Sequence, residues 1–264
     1  MSSVSGGEAA APVSELLVLC YHAVSPTWPS PAAIAPQRLG SQLRYLLRRG
    51  YRPLTLSAAL RERAPRKAMV VTFDDAYTSI LRLGAPVLER LGVPATVFVP
   101  TDAAGEAGLM AWSELAQWAG GEHEPELRCM SWAELRDLSS RGWEVGSHTC
   151  SHPHLTELEG EPLANELRAS RAACEEQLQV PCATLAYPFG SYDAKVMDAV
   201  AAAGYDAAVT LDEHLAAPLR GRGQLEVPRE AIYRETGWVT FAAKTSRAVR
   251  RVRISRAYAL LQAD

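Results

Sequence analysis

The chain is predicted to fold as an α/β protein, a parallel (β/α) barrel, on three observations. Short apolar runs alternate with amphipathic stretches along most of its 264 residues. Several amphipathic stretches end in glycine, the residue a helix C-terminus favours when the chain turns left-handed. The polar residues able to do chemistry stand at the C-terminal ends of the apolar runs, and a barrel gathers those ends around one mouth, whereas an open sheet spreads them along a crevice. With 48% hydrophobic residues the chain can bury a sizeable core.

Residues 1–13 are rich in Ser, Gly and Ala and lack a basic segment followed by an apolar one, so they read as a solvated tail rather than an export signal. The barrel is placed at 14–240. Its first strand, 16–21, ends at His22, and a helix over 38–49 closes at Gly50. The strand at 69–73 runs into Asp74 and Asp75; a helix over 80–91 closes at Gly92 and leads to the strand at 95–99. Residues 105–125 read as an inserted excursion with a short helix at 112–118. A helix at 132–141, Gly142 and a strand at 143–147 bring the chain to His148. A helix at 162–178, a strand at 184–187, a helix at 194–203 ending at Gly204, and a strand at 207–211 complete the alternation. Residues 241–264 form a basic C-terminal helix that covers the barrel or lies on an anionic membrane surface.

The formal net charge of −3 supplies no dominant basic face, so nucleic acid is not expected as a partner. Five cysteines form no CxxC pair and no apolar run is long enough to span a bilayer, which makes a reducing cytoplasm the simplest expected setting.

Two segments carry the chemistry: Val70-Val71-Thr72-Phe73-Asp74-Asp75 and Gly146-Ser147-His148-Thr149-Cys150-Ser151-His152. Two histidines four apart can share one ion, and Pro153 disfavours α geometry at His152, so the pair is expected where a strand end enters a tight turn. Alone, the pair reads as readily as polar loop residues, and one aspartate after a strand would serve as a helix cap. Two successive aspartates place like charges together, a costly arrangement that a cation relieves. One carboxylate and two imidazoles can hold a divalent metal with positions left open, and the other carboxylate is then free to act as a base. Cys150 and His154 adjoin the pair but are not expected to ligate.

These residues resemble the polysaccharide deacetylases with a NodB-homology domain, carbohydrate esterase family four. Thr72-Phe73-Asp74-Asp75 is similar to the first motif, His148-Thr149-Cys150-Ser151-His152 to the second, and Ala186-Tyr187-Pro188-Phe189-Gly190 to the third; the likeness spans roughly residues 16–232. The resemblance implies a distorted (β/α) barrel of the NodB-homology type. It implies Asp74 as catalytic base and Asp75, His148 and His152 as ligands of a divalent metal, zinc by default, with cobalt, nickel, iron or manganese as alternatives. It implies a substrate and oxyanion role for Tyr187, Pro188, Phe189 and Gly190, with a backbone N–H near Phe189 facing the oxyanion. The family's third motif often begins with Arg, and here that position is Ala186; members with this form of the motif often carry a Pro-Arg segment where Pro228-Arg229 stands, which nominates Arg229 to orient the base. The alternative for Arg229 is a surface residue paired with Glu226 or Glu230. His214 lies in a loop-like stretch and is not taken as the acid. Cys20-Tyr21-His22 resembles the N-terminal Tyr-His segment of the subgroup that deacetylates poly-N-acetylglucosamine, which implies His22 as general acid.

The expected function is therefore metal-dependent removal of an N-acetyl or other N-acyl group from an amino-sugar polysaccharide or glycoconjugate. Two alternatives stand beside it: a catalytically silent, metal-bearing carbohydrate-binding protein and a non-haem iron oxygenase, since two His and one carboxylate also describe such iron sites. The spare Asp74 and the order Asp75, His148, His152 argue against the oxygenase.

Overall fold

In the computed structural model, residues 16–61, 67–104, 108–211, 224–250 and 252 are described. The tail at 1–13, His214 with the rest of 212–223, and the basic run beyond residue 252 lie outside them. The chain builds an eight-stranded parallel sheet, curled so that its inner face forms a barrel interior. The order is β10 (Glu230–Ala231), β1 (Leu17–Tyr21), β5 (Ala68–Phe73), β6 (Thr96–Val99), β7 (Glu144–Ser147), β8 (Thr184–Ala186) and β9 (Ala207–Val209). The eighth strand, β4 (Arg52–Leu54), pairs with the first half of β5, and β6 pairs with its second half. Residues 224–232 nearly close the barrel: Val227 N donates to Ala208 O on β9, and Ile232 N donates to Cys20 O on β1.

Six strands and four of the five crossover helices fall within three residues of their sequence-predicted bounds, the strands because they are buried on both faces and so read as unbroken apolar runs; the helix expected over 80–91 is regular only from Ala85. The helices are α1 (Pro36–Arg48), α3 (Ala85–Arg90), α4 (Trp132–Ser140), α5 (Gly160–Leu178) and α6 (Ala194–Ala202). The turns before α3 depart from the expected regular helix by forming a π-helical segment over Ile80–Gly84. A Cβ at Gly84 would lie 3.1 Å from the Val24 side chain, so the segment packs close to β2 (Ala23–Val24), which pairs with β3 (Ala33–Ile34). The sequence does not announce β4, α2 (Leu56–Arg61), β10 or α7 (Trp238–Thr245), the last overlapping the start of the predicted C-terminal helix.

The excursion is pinned by antiparallel bridges between Leu109 and Arg128 and between Tyr77 and Cys129. Its predicted helix is a 3-10 segment, Ser113–Trp118. The segment Met110-Ala111-Trp112-Ser113-Glu114-Leu115 echoes Met130-Ser131-Trp132-Ala133-Glu134-Leu135, which opens α4. The two segments exchange Ala and Ser at two positions, and the exchange at the first matters for capping: Ser131 Oγ accepts from Glu134 N while Glu134 Oε2 accepts from Ser131 N at 2.8 Å, and Ala111 can offer no such capping box.

Candidate active site

Strand alternation decides what reaches the mouth. Along β1, Leu17, Leu19 and Tyr21 pack in the large cluster beneath the helices, and Leu16 and Val18 in the smaller interior cluster. Along β5, Met69, Val71 and Phe73 pack under the helices, and Ala68 and Val70 inside. The next residues of the inward phase are Cys20 and His22 on one strand and Thr72 and Asp74 on its neighbour, so polar chemistry begins where the apolar filling stops.

After β5 the backbone turns through two left-handed residues, Asp75 (φ 66°) and Ala76 (φ 49°), and the adjacent aspartates meet different partners. Asp75 Oδ1 lies 3.5 Å from His148 Nε2 and 3.6 Å from His152 Nε2. Thr149 (φ 68°) and His152 (φ 62°) are left-handed as well, so the histidine pair sits in a tight turn after β7, as Pro153 suggested. Donors held about 2.0–2.2 Å from a tetrahedral zinc stand roughly 3.4 Å apart, so the three residues fit a divalent metal. Asp75 Oδ1 is also buried without a hydrogen-bond partner. Burial, and then the Asp74 charge, push the Asp75 carboxyl up to about 8, although the Tyr77 hydroxyl bonded to it opposes the rise. A cation beside that oxygen would remove the penalty. Burial lowers His148, and burial followed by the His148 charge lowers His152 to about 2; both are thus neutral imidazoles of the kind that bind metal. His148 Nδ1 faces Ala186 O at 2.8 Å, which leaves Nε2 to the metal side.

Asp74 is fully buried and engages Arg229 through both oxygens, with Nη1 donating to Oδ1 at 2.6 Å and Nη2 to Oδ2 at 2.7 Å. Arg229 is 1% exposed, so the surface alternative for it does not hold. Its Nη1 also reaches Thr72 Oγ1, its Nε reaches Thr210 O, and its guanidinium lies over the Phe98 ring. Burial alone would push Asp74 up, but the Arg229 guanidinium overrules it and holds the carboxyl well below the usual carboxylate range. His22 Nε2 stands 4.0 Å from Asp74 Oδ2, and burial lowers His22 to about 4 against the opposing pull of Asp74.

Of the third motif, Tyr187 and Pro188 are buried, and the Tyr187 hydroxyl donates to Leu225 O at 3.0 Å. Phe189 (φ 58°) packs its ring edge-on to His152 and flat on His154, at 4.6 and 3.9 Å between centroids. Gly190 (φ 67°) brings its backbone so close that a Cβ would sit 2.7 Å from Leu211 Cβ and 2.9 Å from its backbone nitrogen. Gly190→Ala is therefore expected to cost about 2 kcal/mol or more, from a disfavoured backbone region and a clash with main chain, read as a lower denaturation midpoint in urea. An unchanged midpoint would show that the turn relaxes freely.

Two residues that the motifs do not contain support the turn that carries His148 and His152. Glu166 on α5 accepts from the backbone nitrogens of Cys150 and Ser151 at 2.8 and 3.0 Å and from Ser151 Oγ at 2.7 Å. Trp112, on the excursion, stacks on His152 with ring centroids 4.4 Å apart. Cys150 Sγ is directed to Glu166 O, and neither it nor His154 joins the donor trio.

The sequence pattern of one family, described as polysaccharide deacetylase, matches residues 61–208. The chain is 23% identical over 199 residues to the poly-beta-1,6-N-acetyl-D-glucosamine N-deacetylase of Staphylococcus aureus (strain MRSA252), covering 70% of this chain and 63% of that protein. It spans just under two thirds of the length of the curated relatives it matches, 65% and 63% for the first two. Among solved structures it is similar to IcaB from Ammonifex degensii, with TM-score 0.70 and 26% identity over 88% of this chain and 97% of that one. The Streptococcus pyogenes deacetylase PplD, solved with acetate, shares the fold, with TM-score 0.71 and 20% identity over 88% and 98%.

Proposed function

The chain belongs to the polysaccharide deacetylase family, and on that premise we propose that it hydrolyses the N-acetyl group of an N-acetylglucosamine-containing polysaccharide or glycoconjugate. The observation that carries the reading is one mouth holding both an unpartnered Asp75 oxygen between two imidazoles and a second carboxylate clamped by a buried arginine. Asp75, His148 and His152 would hold a divalent metal, zinc by default, and such an ion supplies a Lewis acid that polarises the acyl carbonyl and acidifies water.

Asp74 is the base in this scheme. Arg229 keeps it ionised and fixes both oxygens, so it accepts a proton in one orientation only. A proton taken there is not retained, because the guanidinium disfavours the neutral acid. His22 Nε2, 4.0 Å from Oδ2, is placed to receive it, and as an imidazolium it can protonate the leaving amine. The Gly190 N–H is already given to Tyr187 O at 2.9 Å, so the Phe189 N–H is the motif's candidate donor to the oxyanion. The five cysteines are free and buried, which supports the reducing, cytoplasmic setting as part of the proposal. Among the described residues no helix is long and apolar enough to cross a membrane.

The test is acetate release from N-acetylglucosamine oligomers by stripped protein and by protein reloaded with zinc or cobalt. Release should disappear on stripping and return on reloading. Sugar binding without release from any loaded sample would favour the silent binding protein, and oxygen-dependent turnover the oxygenase.

A further inference from the structure

A second set of donors converges beside the first. Cys20, His22 and Asp74 each offer one ligand atom, and these atoms lie within 4.8 Å of one another. They come from the ends of β1 and β5, and the proposed hydrolysis does not use the thiol at all. We propose that Cys20, His22 and Asp74 form a second cation site, selective for soft divalent ions such as cadmium or excess zinc, whose occupation shuts down the enzyme.

The geometry carries this. Cys20 Sγ is 3.4 Å from Asp74 Oδ2 and His22 Nε2 is 4.0 Å from the same oxygen. The latter separation is too long for a hydrogen bond yet near the spacing of two ligands on one ion. Donors about 2.0–2.3 Å from a zinc ion stand roughly 3.4–3.6 Å apart, so the sulfur is already at ligand spacing from Asp74 Oδ2 and the imidazole must close on that oxygen by about half an ångström. His22 Nδ1 is buried and has no hydrogen-bond partner, so the ring is not locked in place by that nitrogen. The Tyr233 ring is stacked on the imidazole at 6.4 Å between centroids, a loose contact along which the ring can slide.

The sulfur decides the ion. A thiolate, imidazole and carboxylate together favour zinc and cadmium over magnesium, calcium or manganese. Cys20 must release its proton to solvent as the ion enters. The Arg229 guanidinium, bonded to both Asp74 oxygens, repels a second cation, so this site fills after the Asp75, His148 and His152 site and binds more weakly. An ion there takes up Asp74 and His22 together. Inhibition rests on the proposed hydrolase reading; the binding does not.

Cadmium alone is the probe, titrated into the full chain carrying one equivalent of zinc. A second equivalent should bind with a thiolate-to-metal absorption band in the near ultraviolet, and acetate release should fall in step. Cys20→Ser should abolish the band and raise the half-inhibitory cadmium concentration, relative to its own uninhibited rate, by at least the roughly tenfold that even an outer partner of a metal is worth. Cys182→Ser, a control for the other buried thiols, should keep both. A band and inhibition that persist in Cys20→Ser, or the absence of a second equivalent, would overturn the site. Binding at Cys20 without inhibition would overturn its regulatory consequence. A chain that releases no acetate would fail the hydrolase proposal while the absorption band still judged the site.

Discussion

Asp74→Asn should lower turnover by about two to four orders of magnitude, the range expected for a positioned acid–base group. The amide keeps the shape and its oxygen can still accept one of the two guanidinium bonds, but it cannot take a proton. The trio of Asp75, His148 and His152 is left intact, so bound metal should stay at one equivalent. The diagnostic pattern is thus a collapse in kcat with metal content preserved, measured on the same sample by acetate release and elemental analysis. A variant that retained more than about a tenth of the wild-type rate would remove Asp74 from the chemistry. Loss of metal alongside loss of rate would mean that the two aspartates do not divide their labour.

Arg229→Gln should be the most damaging change to the fold. Removing one member of a buried, doubly bonded ion pair strands the other charge, at a cost of about 3–5 kcal/mol. The pH dependence tests the cause. In the wild type the Asp74 carboxyl is held below its unfolded value, so its contribution to stability is complete above the ordinary carboxylate range and is lost as pH falls through the depressed value. Without the guanidinium, burial raises the same carboxyl, and the sign reverses: the variant gains relative stability on acidification. The stability gap should therefore be widest near neutrality and narrow toward acid, and the acidic limb of kcat/KM should move to higher pH. A gap that stays constant with pH would reduce Arg229 to a packing role.

What could be read from the residues follows from how far apart the interacting groups lie along the chain. Buried parallel strands announce themselves as apolar runs, and the turns after β5 and β7 carry their donors within a few positions, so one carboxylate of Asp74-Asp75 together with His148 and His152 is visible as a candidate metal set, while the choice of Asp75 as the ligand comes from the family likeness. The pairing of Arg229 with Asp74 is different. It spans 155 positions, and it was nominated from a family likeness with a surface alternative beside it. Arg52-Pro53-Leu54 gave no strand signal because it is short and contains a proline; β5 supplies its partner only along the half that β6 leaves free. Glu166 looks like any charge on a helix face, since the groups that donate to it are backbone nitrogens of a turn fifteen or so positions away. Trp112 could not be tied to His152 without knowing that the excursion folds back over the mouth.

The segment that nearly closes the barrel has a consequence for the order in which the molecule matures. A chain leaves the ribosome from its N-terminus, so Asp74 and Asp75 are made, and β1 through β9 can assemble, before Arg229 exists. Until residues 224–232 slot between β9 and β1, two adjacent acids share a low-dielectric interior with no guanidinium to balance them. On the proposed mechanism, the last piece of sheet to arrive is also the piece that arms the base. Ribosome-bound chains ending before residue 229 should therefore be silent however much of the barrel they contain, and completion of the fold becomes the moment at which reactivity is switched on.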